Sequence, residues 1–272
     1  MNKPIDIFIA TYLRQFYTEK TISYLKERTN YPYRLIVLDN GGNDEVLEKA
    51  NDVMFLWVKM NHNTGIHCLW NVALSIAESE YFITSDNDIY VPDLRSYIEM
   101  TKQSLDLNPP EQKFLSLNIS GQSCWLERLV KFMDERPDYG AISLHPHIFI
   151  GRGMLDSNDP EDVKEESHCG AVMRIMRTEA VRKAQGWEHV IRSSRNHEEH
   201  TICGRLREAG YKVGICTRLR AFHAFGNEET DPWGYPKSMK PADHGHREIW
   251  PPVNVYGDMT KYNNNTWMKN EK

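Results

Sequence analysis

Tyr81-Phe82-Ile83-Thr84-Ser85-Asp86-Asn87-Asp88 is a short apolar run that stops at two carboxylates. Four to eight residues of this kind read as a buried strand. The acids stand at i and i+2, so both can reach one divalent cation from the strand end. Oxygen ligands favour Mn²⁺ or Mg²⁺, which also take phosphate oxygens. Open α/β sheets bind ligands beyond the carboxyl ends of their strands. The stretch therefore predicts a cation-assisted site for a diphosphate at one sheet edge.

Upstream of it, strand and helix signals alternate. Residues 5–10 read as a buried strand and residues 14–29 as an amphipathic helix. Residues 33–38 read as a second strand that ends on the turn cluster Asp39-Asn40-Gly41-Gly42. A short helix over 43–51, a strand over 53–58 and a helix over 65–77 follow. Such alternation predicts a largely parallel sheet covered on both faces. Downstream the pattern loosens. Helices are expected over 95–105, 126–135, 178–185 and 198–209. Strands are expected over 141–144, 172–176, 211–216 and 219–225. The Gly- and acid-rich stretch 151–167 reads as a mobile loop. Beyond Gly226 the chain turns rich in Pro, Trp and Asn and reads as an arm over the domain.

The chain has 272 residues, with 40% hydrophobic and 26% charged, as expected of a globular protein. The formal charge of −5 argues against a broad nucleic-acid surface. Five scattered cysteines without a CxxC pair argue against a zinc knuckle and for a reducing cytoplasm. No apolar run approaches the roughly 20 residues of a membrane span, and no signal peptide is read at the N-terminus.

Each strand end in the first half carries polar groups: Thr11-Tyr12, Asp39-Asn40, Asn61 to Gly65, then Asp86 and Asp88. The third group opens Asn63-Thr64-Gly65, with Asn71 six residues on. In the second half, Glu198-Glu199 opens a helix that closes on Arg205-Leu206-Arg207-Glu208-Ala209-Gly210-Tyr211, and His223 follows after a strand. This ordered set resembles the inverting GT-A glycosyltransferases of family 2. The resemblance spans roughly residues 4–90 and 168–226.

It implies a single α/β domain of the GT-A, Rossmann-like kind, with a central mixed sheet flanked by helices over residues 1–226. Residues 1–90 would bind nucleotide, 91–226 would hold acceptor and base, and 227–272 would pack on the domain as an arm. It implies nucleotide contacts at Thr11, Tyr12, Arg14, Asp39, Asn63, Gly65, His67, Asp86 and Asn87. Mn²⁺ or Mg²⁺ would sit on Asp86 and Asp88 with His223. Glu199 would be the general base, with Glu198 as the alternative. The donor would be a nucleotide sugar, UDP-linked first and GDP- or dTDP-linked next. The acceptor would be a hydroxyl on a saccharide, a lipid carrier or another molecule. Where the family often has Arg, this chain has Trp70, which leaves His67, Arg14 or a lysine to meet the phosphates. Two rival readings are a nucleotidyltransferase acting on a sugar phosphate and a non-catalytic carbohydrate-binding protein on the same scaffold. The first should carry a Gly-rich loop after its first strand, and Thr11-Tyr12-Leu13-Arg14 has no glycine.

Overall fold

The computed structural model describes residues 4–12, 15–41, 54–91, 124–147, 162–188, 198–223 and 253–257. Its strands are β1 (Ile5–Thr11), β2 (Tyr33–Asp39), β3 (Met54–Met60), β4 (Tyr81–Asp86), β5 (Ile89–Tyr90), β6 (Tyr139–His147), β7 (Val163–Glu165), β8 (Arg174–Arg177), β9 (Lys212–His223) and β10 (Val253–Gly257). Its described helices are α1 (Gln15–Arg28), α2 (Ile66–Ile76), α3 (Trp125–Glu135), α4 (Thr178–Lys183) and α5 (Glu198–Glu208).

All ten described strands join one mixed sheet in the order β10-β3-β2-β1-β4-β8-β6-β9-β5, with β7 paired to β9. Strands β3, β2, β1 and β4 run parallel. The chain moves outward from β1 to β2 and β3, then returns through α2 to place β4 on the other side of β1. Sheet order therefore reverses between β1 and β4, which is where a ligand crevice opens in such folds. Ala10 lies opposite Asp86 across this switch, and Thr11 lies opposite Asp39 on the other side.

Both sheet faces are covered, as the strand patterns require. Ile5, Ile7 and Ile9 of β1 face one core with Ile22 and Leu25 of α1 and Leu126 and Leu129 of α3. Phe8 and Ala10 face the other core with Leu69, Trp70 and Ala73 of α2, Ala180 of α4 and Ile202 of α5. This alternation is the two-residue period of a strand. Buried Asp6 on β1 takes two hydrogen bonds from Arg34, at 2.6 and 2.8 Å.

Three expectations change. The stretch expected to be a loop holds β7, antiparallel to residues 214–216 of β9; residues 151–161 lie outside the described set, as do the helices expected at 43–51 and 95–105. The two strands expected around Thr217 form one strand, β9. Its register against β6 slips between Ser143 and His145, so the chain bulges instead of turning. Strand β8 begins at Arg174, because Met173 carries a φ of 46° that breaks the extended run. Among the described residues, no helix is long and apolar enough to cross a membrane.

Candidate active site

The middle residue of Asp86-Asn87-Asp88 organises the other two. Asn87 is buried, and its side-chain amide donates to Thr18 Oγ1 at 2.9 Å and Thr11 Oγ1 at 3.3 Å. Its carbonyl accepts from Thr21 Oγ1 at 2.7 Å. Thr18 and Thr21 of α1, with Thr11 at the end of β1, thus hold the turn in place. Thr11 is itself buried, with Oγ1 2.7 Å from Thr18 Oγ1.

Asp86, Asp88 and His223 offer ligand atoms that all lie within 4.8 Å of one another. His223 arrives through sheet pairing: it lies opposite Ile89 across β5 and β9, and its Nε2 stands 3.3 Å from Asp88 Oδ1. Burial and the neighbouring Asp88 charge push the Asp86 carboxyl up from 3.8 to about 7, while His223 pulls it down. The charges of Glu198 and Glu199 also reach Asp86 and raise it further. Two carboxylates and an imidazole on converging strands fit Mn²⁺, which accepts nitrogen and oxygen ligands, and a cation there would relieve the crowding of negative charge.

The two acids at the start of α5 differ. Glu198 is buried, and both its oxygens accept from Arg174 Nη2, at 3.2 and 3.0 Å. Its Oε2 also accepts from Trp187 Nε1 at 2.8 Å. Glu199 is only partly buried.

At the carboxyl end of β2, Asn40 braces the loop that follows β3. Its Oδ1 accepts from Thr64 N at 2.8 Å, and its amide donates to Asn63 Oδ1 at 2.7 Å. Asn63 Oδ1 in turn accepts from Gly65 N at 3.0 Å. Asp39 is buried and accepts from Gly41 N at 3.0 Å. Gly41 has a φ of 91°, and a Cβ there would stand 3.0 Å from the His62 backbone, so the turn requires glycine. His67 is buried in the first turn of α2. Burial pulls its imidazole below the ordinary value, against the upward pull of Glu198, Glu188 and Glu199. Its Nδ1 has no partner among the described residues. Tyr12 is partly exposed beside Thr11, and Arg14 lies outside the described residues.

Trp70 and Asn71 turn out to serve the other side of the site. Trp70 is fully buried, with its ring centroid 6.5 Å from that of Trp187. The Asn71 side chain takes a hydrogen bond from Trp187 N at 2.9 Å and gives one to Trp187 O at 3.0 Å. Sequence reading missed Arg174 and Trp187. The available signal was a lone arginine inside the apolar run Val172-Met173-Arg174-Ile175-Met176, since a buried charge requires a partner.

The Asn71–Trp187 staple makes a stability prediction. Gly186 carries a φ of 65°, and a Cβ there would stand 2.5 Å from Asn71 Oδ1. Gly186→Ala is expected to lower stability by about 1–3 kcal/mol, through crowding and a strained backbone. A urea titration of both proteins checks this; an unchanged midpoint contradicts it.

Residues 6–104 match the sequence profile described as Glycosyl transferase family 2. No curated protein matches the chain in sequence. Three similar solved structures share the fold at low identity. TarS residues 1–349 from S. aureus aligns with a TM-score of 0.57 at 15% identity, over 81% of this chain and 60% of that one. The mannosyltransferase PcManGT from Pyrobaculum calidifontis, solved with GDP-Man and Mn²⁺, gives 0.59 at 15% identity, over 84% and 59%. GalNAc-T7, solved with UDP, GalNAc and Mn²⁺, gives 0.56 at 10% identity, over 81% and 43%. The chain thus spans at most 60% of the length of these three structures. The sheet order, the matching profile and these neighbours agree: the chain has the fold of the GT-A glycosyltransferases, and its residues 6–104 match the family 2 profile.

Proposed function

We propose that this protein transfers a sugar from a nucleoside-diphosphate sugar to an acceptor hydroxyl, with inversion at the sugar carbon. The observation that carries this reading is the meeting of Asp86, Asp88 and His223 at the β4 end, within reach of the charges of Glu198 and Glu199. The nucleotide would lie over the carboxyl ends of β1 and β2, near Thr11, Tyr12 and Asp39, with its diphosphate directed to Asp86 and Asp88. Asn63, Gly65, Asn87 and His67 shape that side of the crevice. Arg14 is included as one of the groups left to meet the phosphates, because Trp70 stands where the family often has Arg. A divalent cation held by Asp86, Asp88 and His223 would compensate the charge of the departing diphosphate.

Glu199 would accept the acceptor's hydroxyl proton while that oxygen bonds to the anomeric carbon. The bond from that carbon to the phosphate oxygen breaks, and its electron pair leaves with the diphosphate. Attack opposite the leaving group inverts the centre, through an oxocarbenium-like state. Mn²⁺ and Mg²⁺ are the proposed cations, and UDP the first nucleotide to test, then GDP and dTDP. The acceptor would be a saccharide, a lipid carrier or another hydroxyl compound. All five cysteines are free thiols, which fits a cytoplasmic setting.

Thermal denaturation with UDP, GDP, dTDP and CMP, each with and without Mn²⁺, tests the reading. One nucleotide is expected to raise the melting temperature only with the cation, by mass action on the folded state. Incubation with the matching sugar nucleotide should then release nucleoside diphosphate. Release of pyrophosphate from a nucleoside triphosphate and a sugar phosphate would assign a nucleotidyltransferase instead. No shift with any nucleotide would defeat the proposal.

A further inference from the structure

Arg174 connects the two halves of the site. It is fully buried on β8, in register opposite Thr84 of β4, two residues before Asp86. Every guanidinium nitrogen is committed. Nε donates to Thr84 Oγ1 at 3.1 Å, Nη1 to the Cys169 carbonyl at 3.2 Å, and Nη2 to both oxygens of Glu198. The loop after Cys169 returns to the cation strand, where the Ala171 carbonyl accepts from Asp86 N at 3.0 Å. Trp187 completes the clamp through its hydrogen bond to Glu198, and its backbone is stapled to Asn71 of α2. Hydrogen bonds thus run from α2 through Trp187, Glu198 and Arg174 to β4, with Glu199 next in sequence after the clamped acid.

Stability alone does not account for this arrangement. A buried ion pair loses hydration on folding, and apolar residues of similar volume often serve the fold as well or better. What an apolar cluster would not supply is direction. A planar guanidinium with three fixed donor directions sets distances that packing alone leaves loose.

We propose that Arg174 and Trp187 are positioning residues that act through Glu198 to hold Glu199 at a fixed place relative to Asp86 and Asp88. The inference rests on the reading of Glu199 as the base. Lysine at 174 keeps the charge but cannot make the three-way contact. Phenylalanine at 187 keeps the ring against Trp70 but removes the donor to Glu198.

The test measures nucleoside diphosphate released with water as acceptor, from the sugar nucleotide whose nucleotide gives the largest thermal shift, in the presence of Mn²⁺. Arg174→Lys is expected to lower kcat roughly tenfold to a hundredfold, the scale of an ångström-sized misplacement. Trp187→Phe is expected to lower it by about threefold to tenfold, about the scale of one lost hydrogen bond. KM for the donor and the Kd for Mn²⁺ should stay within about threefold in both, because the donor and cation ligands are untouched. The effect should also vanish where the base is already absent. Adding Trp187→Phe or Arg174→Lys to Glu199→Gln should lower kcat by less than about twofold more.

Parent-level kcat in both single variants overturns the inference. So does a full additional loss in the Glu199→Gln background, which is the signature of a merely structural role. Should Arg174→Lys fail to fold, Trp187→Phe decides alone. Parent-level turnover in Glu199→Gln itself removes the base reading and the clamp's purpose with it. Low turnover in Glu199→Gln beside full turnover in both clamp variants removes the clamp alone.

Discussion

Glu199→Gln is expected to lower turnover by roughly 10²- to 10⁴-fold, the usual worth of a positioned general base. The two acids that open α5 are chemically alike, and their surroundings separate them. Glu198 takes three hydrogen bonds, two from Arg174 and one from Trp187, and is closed off from solvent. An acid so bound cannot turn to meet an incoming hydroxyl without breaking that set. Glu199 is only partly buried and begins the same helix. Glutamine matches its size and removes only the ability to take a proton. Donor binding, read from the nucleotide-dependent thermal shift, should therefore persist. Glu198→Gln should behave differently and lose stability first, because it leaves the buried Arg174 charge uncompensated, a change worth about 3–5 kcal/mol. Parent-like turnover in Glu199→Gln would transfer the base role elsewhere.

Asp88→Ala should abolish the cation response. Replacing an outer partner of a metal ligand costs about 10- to 100-fold in affinity, and loss of a ligand should exceed that. Calorimetric titration with Mn²⁺ should show the loss, and the cation-dependent nucleotide shift should go with it. The parent's affinity should also depend on pH. With the Asp86 carboxyl raised to about 7, a cation must displace a proton at lower pH. Affinity is therefore expected to fall roughly tenfold per pH unit below about 7 for one displaced proton. The stability of the cation-free protein runs the other way. A carboxyl that holds its proton more tightly when folded adds stability that is complete below its ordinary value of 3.8 and is lost as pH rises through about 7. Mn²⁺ should thus raise the melting temperature more at pH 7.5 than at pH 5.5. Equal shifts at both would contradict this account of the site.

The parallel half was legible because its apolar runs have strand length and each ends on a polar group. Residues 5–10 and 81–84 could hardly be anything but buried strands. Asp86 and Asp88 stood out by their place at a strand end. His223 could be singled out only through the family resemblance, since nothing near it in sequence marks it. Its approach to Asp88 depends on β9 pairing with the two-residue strand β5, a contact between residues more than 130 apart in the chain. Strand β7 escaped notice because Val163 is its only apolar residue, so no alternation marks it. Arg174 was hidden for the opposite reason. A charged residue in an apolar run suggests an edge, and only tertiary packing shows that Thr84, Cys169 and Glu198 enclose it. Asn87 stood only among the expected nucleotide contacts, and nothing in the sequence showed that its side chain anchors the turn to α1.

Strand β10 has a consequence of its own. It pairs antiparallel with β3 from Val253 to Gly257 and so occupies the hydrogen-bonding groups on that strand's outer flank. A bare flank of this kind invites pairing with a neighbouring molecule. Chains shortened before residue 253 would carry that unprotected backbone into solution, and self-association would then become the first obstacle to handling them.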